Sequence, residues 1–222
     1  MRLSLVPFVV AGGLFALSAN ALADQYVVKE AALEPAGQCN IGAWHERVDG
    51  DNHLTMASFK CNPTGQFNIG AEIGNLEAGG TDDTIGAVNF KTVMQPAALG
   101  QVGYGVAVDA GFSDSFSDFD GLDFTVPVSV MLHQRIVVNA NAGWNWARNA
   151  DNALTAGIGT EIGLFEHLHA IGEFYGDEHD RNAMQAGLRY QLGRNGYVDA
   201  SYGRETGSGN DDWFAIGAGT RF

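Results

Sequence analysis

From Cys39 to the C-terminus the chain repeats one device: segments of about ten residues in which apolar and polar side chains alternate, separated by short polar links. Period two is the pleat of a β-strand with two unlike faces. Within Val138–Trp146, Val138, Ala140, Ala142, Trp144 and Trp146 share one face, while Asn139, Asn141 and Asn145 share the other. Between Leu122 and Leu132, Leu122, Phe124, Val126, Val128, Val130 and Leu132 oppose Asp123, Thr125 and Ser129. The split recurs in Leu154–Leu164, Met184–Leu192 and Phe214–Phe222. This periodicity predicts twelve strands, at 39–48, 53–61, 65–74, 84–93, 101–112, 121–132, 135–147, 152–164, 168–177, 182–192, 197–205 and 212–222. The first two alternate poorly, which keeps ten as an alternative. An even number of such strands is the pattern of a single-chain transmembrane barrel, so the expected fold class is all-β, an antiparallel up-and-down barrel over residues 39–222.

The links supply a second, independent pattern. The short ones, 62–64, 94–100, 133–134, 165–167 and 193–196, fall after even-numbered strands. The other set holds Asp49 and Asp51; Glu77, Asp82 and Asp83; Asp114, Asp118 and Asp120; Asp151; Glu178 and Asp180; and Asp211. Acid therefore concentrates at every second link, as expected if one end of the barrel faces the periplasm and the other the exterior. Alternation alone does not say which face points outward. The terminal Phe222, the paired Trp144 and Trp146 and an export leader turn the apolar face toward lipid.

That leader is residues 1–23: Met1-Arg2 gives a positive start, Leu3 to Ser18 is apolar, and Ala21-Leu22-Ala23 places small residues before Asp24. Residues 24–38, which include Tyr26-Val27-Val28-Lys29-Glu30, are expected to form a periplasmic N-terminal extension, with a plug inside the barrel as the alternative. The net charge of −14 argues against nucleic acid as a partner and against a polybasic membrane anchor. In an exported chain the two cysteines, Cys39 and Cys61, are expected to pair, since neither a CxxC spacing nor further metal ligands accompany them. The strand pattern puts both at the periplasmic end of the first hairpin.

The polar faces carry the candidate lumen-lining charges Glu72, Lys91, Asp109, Asp123, Glu161, Glu173, Arg189, Asp199 and Arg221. Six acids and three bases suggest a mildly cation-favouring path, or else an internal salt-bridge network that fills the barrel. On the lipid face an Arg or Lys near midplane would cost about 2–4 kcal/mol. The same faces are rich in glycine, including Gly157, Gly159 and Gly187, which leaves either open volume or room for curvature. His167 and His169 lack an evident third ligand, so no metal or other cofactor is expected. Gly-x-Ser-x-Gly is absent, and His179 with Asp177 and Asp180 is a weak protease-like cluster, so no catalytic residues are assigned.

In the C-terminal half six motifs fall in one order: Leu122–Ser129, Ala153–Glu161, Ala170–Asp177, Gln185–Leu192, Tyr197–Arg204 and Trp213–Phe222. Together they resemble outer-membrane proteins of the MetA-pathway phenol-degradation family, a transporter-like group, over about residues 119–222. The resemblance implies an outer-membrane barrel in a Gram-negative bacterium for passage or uptake of small, hydrophobic or aromatic molecules. The alternative is a structural or adhesive surface protein with a closed lumen. The expected partners are outer-membrane lipid and lipopolysaccharide, a small-molecule solute, and the barrel-assembly machinery through the strand ending in Phe222.

Overall fold

The computed structural model describes residues 25–48, 52–207 and 209–222. The leader 1–23 and the loop acids Asp49 and Asp51 lie outside them. Twelve strands run β1 Cys39–Val48, β2 Asn52–Cys61, β3 Phe67–Ala78, β4 Thr81–Gln95, β5 Val102–Ser113, β6 Asp118–His133, β7 Ile136–Ala147, β8 Ala153–Gly163, β9 Leu168–Asp177, β10 Asn182–Leu192, β11 Gly196–Glu205 and β12 Asp212–Arg221. Each pairs antiparallel with its neighbours, and β1 pairs with β12, so the sheet closes with no free edge. The ten-strand alternative is thereby replaced by twelve. Beyond β12, Phe222 and Cys39 exchange main-chain hydrogen bonds at the seam, at 2.8 and 2.9 Å. The end where these two residues meet is termed the base, and the opposite end the top. Among the described residues no helix is long and apolar enough to cross a membrane.

The pleat sorts side chains as the alternation requires. Ile41, Phe59, Ile73, Phe90, Phe124, Trp144, Ile158, Phe174, Leu188 and Ile216 are exposed on the outer surface. Asn68, Glu72, Asn89, Lys91, Asp109, Asp123, Ser129, Glu173, Gln185 and Asp199 are buried inside. Water would penalise that contiguous outer apolar surface, whereas hydrocarbon does not. A barrel with this sense of polarity is built for a bilayer.

The largest boundary difference is at the top of β3 and β4. An acidic link over 75–83 was expected, but the strands continue to Ala78 and Thr81 and leave only a two-residue turn. Gly79 and Gly80 have φ of 60° and 79°, which is the backbone a tight hairpin needs and which glycine adopts at little cost. Glu77 and Asp82 consequently sit opposite each other on strands. Likewise Asp118 and Asp120 begin β6, and the link before them is only 114–117.

The base of the first hairpin is covalently closed. Cys39 and Cys61 are register partners with Cα atoms 4.0 Å apart and form a disulfide. In the chain-entropy view a bridge spanning 22 residues constrains the unfolded chain by about 3 kcal/mol.

Candidate functional site

Residues 25–38 bond to residues of the barrel wall. They turn back at the base and run up inside the barrel, because their main-chain groups find partners there that an extension in solvent would lack. The reversal is Pro35-Ala36-Gly37-Gln38: Gln38 donates to the Pro35 carbonyl at 3.0 Å, and Gly37 has φ 78°, which this turn demands and which no side chain obstructs. Asn62, beside the disulfide, clamps it. Its carbonyl accepts from Gly37 N at 2.7 Å, its Nδ2 donates to the Glu34 carbonyl at 2.6 Å, and its side chain is almost wholly buried.

Above the clamp the segment crosses the lumen. Ala31 N donates to Ser129 Oγ on β6 at 2.7 Å. Lys29 N donates to Asn141 Oδ1 on β7 at 2.7 Å, and Asn141 Nδ2 returns a bond to the Lys29 carbonyl at 2.8 Å. The Glu173 carboxylate on β9 accepts from both Val27 N and Val28 N, at 2.8 and 3.1 Å. Glycines on the wall make room for it. A Cβ at Gly157 or Gly159 would meet Val28 at 3.0 to 3.4 Å, and one at Gly187 would strike the Tyr26 hydroxyl.

Three ionic contacts hold the segment, at two heights. Midway up, the Lys29 ammonium pairs with Asp109 on β5, each side chain only 3% exposed. Near the base, Glu34 takes Lys60 at 3.2 Å and Arg221 at 2.6 Å. Burial alone would raise the Glu34 carboxyl, but the Lys60 and Arg221 charges and hydrogen bonds outweigh it and hold it below its ordinary value. Removing water from a buried pair such as Lys29–Asp109 is costly, and either member left alone is worse off than both together.

The nine candidate lumen charges do not form one network. Asp109 binds Lys29, and Lys91 donates to the Glu30 carbonyl at 3.2 Å. Glu173 binds the main chain of the segment and Gln185, and Arg221 binds Glu34. The others pair along the wall: Glu72 with Asn89, Asp123 with Asn145, Glu161 with His169, and Arg189 with Asp199. The Arg189 guanidinium also lies 5.3 Å from the Tyr26 ring and 4.7 Å from the Tyr197 ring.

Neither histidine cluster gathers a site. His169 is bonded to Glu161, while His167 lies edge-on to Tyr190. His179 bonds the Asn152 carbonyl, with Asp177 engaged by main-chain N–H groups of the turn. Among the described residues no three metal-ligating side chains converge. Among the described residues, the recesses beside the segment include an upper and a lower one. The upper, of about 90 Å³, includes Asp123, Asn145, Tyr175 and Glu205, and the lower, of about 110 Å³, includes Lys60, Lys91, Glu161 and Arg189.

Sequence reasoning missed Lys29, Glu34, Lys60, Asn62, Ser129, Asn141 and Gln185 as site residues. Two signals were available: a lysine and a glutamate five residues apart in a leader-proximal stretch, and the asparagine row of β7.

Solved structures with this fold are outer-membrane barrels. The KdgM porin superposes with a TM-score of 0.69 at 11% identity, covering 82% of this chain and 99% of that one. The COG4313 outer membrane channel from Pseudomonas putida F1 gives 0.65 at 8% identity, covering 86% and 97%. The NanC porin gives 0.63 at 11%, covering 81% and 98%. No curated protein matches the sequence. A family match covers residues 10–222, nearly the whole chain, and the chain belongs to the family described as "Uncharacterised conserved protein UCP029691".

Proposed function

We propose that this protein is a channel for small polar solutes in a Gram-negative outer membrane, closed in this state by its own residues 25–34. The observation that carries this reading is the lumen itself. A wall of carboxylates, amides and bases stands inside an apolar outer surface, and the matter crossing it is a segment outside the sheet. Such a wall suits solutes that exchange hydrogen bonds and charge as they pass. The porin and channel fold of the structural neighbours supports passage, and one KdgM structure was solved in complex with disordered oligogalacturonate. Aromatic compounds are suggested only by the C-terminal motifs; the wall chemistry favours polar ones. In this reading residues 1–23 are an export signal, the acidic top faces lipopolysaccharide, and the strand ending at Phe222 is presented to the barrel-assembly machinery.

The second reading, a structural barrel with a permanently closed lumen, is favoured by the buried Lys29–Asp109 pair. Adhesion has little support, since the top links at 79–80 and 114–117 offer little surface. Planar-bilayer recording separates the readings. In the full-length chain, the double charge reversal Lys29→Glu with Glu34→Lys places repulsive charge opposite Asp109, Lys60 and Arg221. A channel gives brief steps in the wild type and long-lived, salt-dependent steps in the variant. Silence from both, with folded protein verified by heat-modifiable gel mobility, leaves the structural reading.

A further inference from the structure

We propose that the lumen is a binding site for extended peptides with a cationic side chain, and that residues 25–34 are its resident occupant; this rests on the channel reading above. The wall addresses the segment chiefly through its main chain. Four N–H groups beyond the base, those of Val27, Val28, Lys29 and Ala31, donate to Glu173, Asn141 and Ser129. Lower down, Glu34 N donates to Asn68 Oδ1 at 3.3 Å. Carbonyls are read as well: Gln25 by Gln185 at 3.2 Å, Lys29 by Asn141, Glu30 by Lys91 and Glu34 by Asn62. These donors and acceptors come from β3, β4, β6, β7, β9, β10 and the link after β2. They converge from opposite sides of the barrel, not from one strand edge.

A main-chain group is common to every peptide, so contacts of this kind recognise an extended chain whatever its sequence. Asn141 makes the point most directly, since its amide donates to and accepts from the same residue, as a neighbouring strand would. Side chains add selectivity at two positions. Gly157 and Gly159 leave a shallow seat filled by Val28, and Asp109 sits buried where a Lys or Arg must neutralise it. The tether at Cys39 gives the resident segment a high local concentration, so a free peptide competes only once that segment is displaced.

The test uses the full-length Lys29→Glu, Glu34→Lys variant in a planar bilayer, with synthetic peptides added at about 1 mM from the base side. The first has the sequence of residues 25–36. The second keeps the lysine but changes Val27, Val28, Ala31 and Ala32 to other small or β-branched residues. The third is the first with N-methyl groups at the main-chain nitrogens of Val28, Lys29 and Ala31. The inference expects discrete block by the first two with dwell times within a few-fold of each other. The N-methylated peptide should dwell about tenfold less or not at all, because three donors are gone while every side chain remains. Equal block by the N-methylated peptide, or no block by any peptide of a conducting variant, overturns the inference and leaves the channel standing. A folded variant that never conducts overturns both.

Discussion

Two parts of the lumen are filled in opposite ways. Toward the top of β1–β3, Trp44, Leu54, Met56 and Leu76 point inward and pack together, with Ala78 and Ile85 against them. Across the middle, from β5 to β10, the wall is asparagine, serine, carboxylate and glycine, and the space is taken by the main chain of residues 25–31. Both arrangements occupy the barrel interior. The apolar cluster belongs to the strands, so it cannot leave without unfolding them. The segment is joined to the wall by hydrogen bonds worth about 0.5–1.5 kcal/mol each in net terms, groups that water can replace. One filling is part of the strands, and in the channel reading the other is removable.

The sharpest way to break that comparison is Lys29→Ala. It strands the buried Asp109 carboxylate, and losing one partner of a buried pair costs about 3–5 kcal/mol. The whole loss should fall on docking of the segment. Cleavage after Glu30 by a glutamyl endopeptidase should accelerate strongly, while the urea midpoint of the barrel moves little. Loss of barrel stability without faster cleavage would mean that the segment is part of the fold.

Leu54→Ala should do the reverse. Leu54 is fully buried in the apolar cluster, and truncation there costs about 2–5 kcal/mol through lost burial and a residual cavity. Urea unfolding should show the cost, and cleavage after Glu30 should be unchanged. Gly159→Leu is a finer probe. Even a Cβ at this position lies 3.2 Å from Val28, so the longer side chain presses on the segment by about 1–3 kcal/mol. Because Val28 gives way and not the strand, the expected result is faster cleavage with an unaltered barrel midpoint.

The same contrast explains what could be read from the sequence. Strand number and most boundaries were legible because each strand with one lipid face and one polar face writes its own period-two record, as Leu122–Leu132 and Val138–Trp146 do. The hairpin β1–β2 was blurred for a reason now visible. In its upper half the inward face mixes Trp44, Leu54 and Met56 with Glu46, while His45, Arg47 and Thr55 are outward and exposed, so the apolar–polar alternation is scrambled along the strands. The extended β3–β4 hairpin was hidden by Glu77, Asp82 and Asp83, whose acidity resembled a loop although Gly79-Gly80 marked the turn. The segment's placement had no periodic signature, since the partners of its main chain lie at seven separate positions brought together only by closure.

The smallest expected effect is electrostatic and concerns Glu34. Its carboxyl is held below the ordinary value by Lys60 and Arg221 against the opposing effect of burial. A carboxyl lowered in the docked state contributes docking free energy that is fully present above its ordinary, undocked value. The contribution is lost as pH falls through the docked value. Arg221 is 41% exposed, so solvent screens its share and the total is about 1 kcal/mol or less. Other lumen carboxylates titrate too, so the informative quantity is the difference between the wild type and Glu34→Gln. Near neutral pH the wild type should be cleaved after Glu30 more slowly than Glu34→Gln, using a protease active across the acid range. The difference should shrink as pH drops through the carboxylate range, and raising salt should shrink it further. Equal cleavage of the two proteins at every pH would show that residue 34 holds the base of the segment through its main-chain contacts to Asn62 and Asn68, which Glu34→Gln leaves in place, and not through charge.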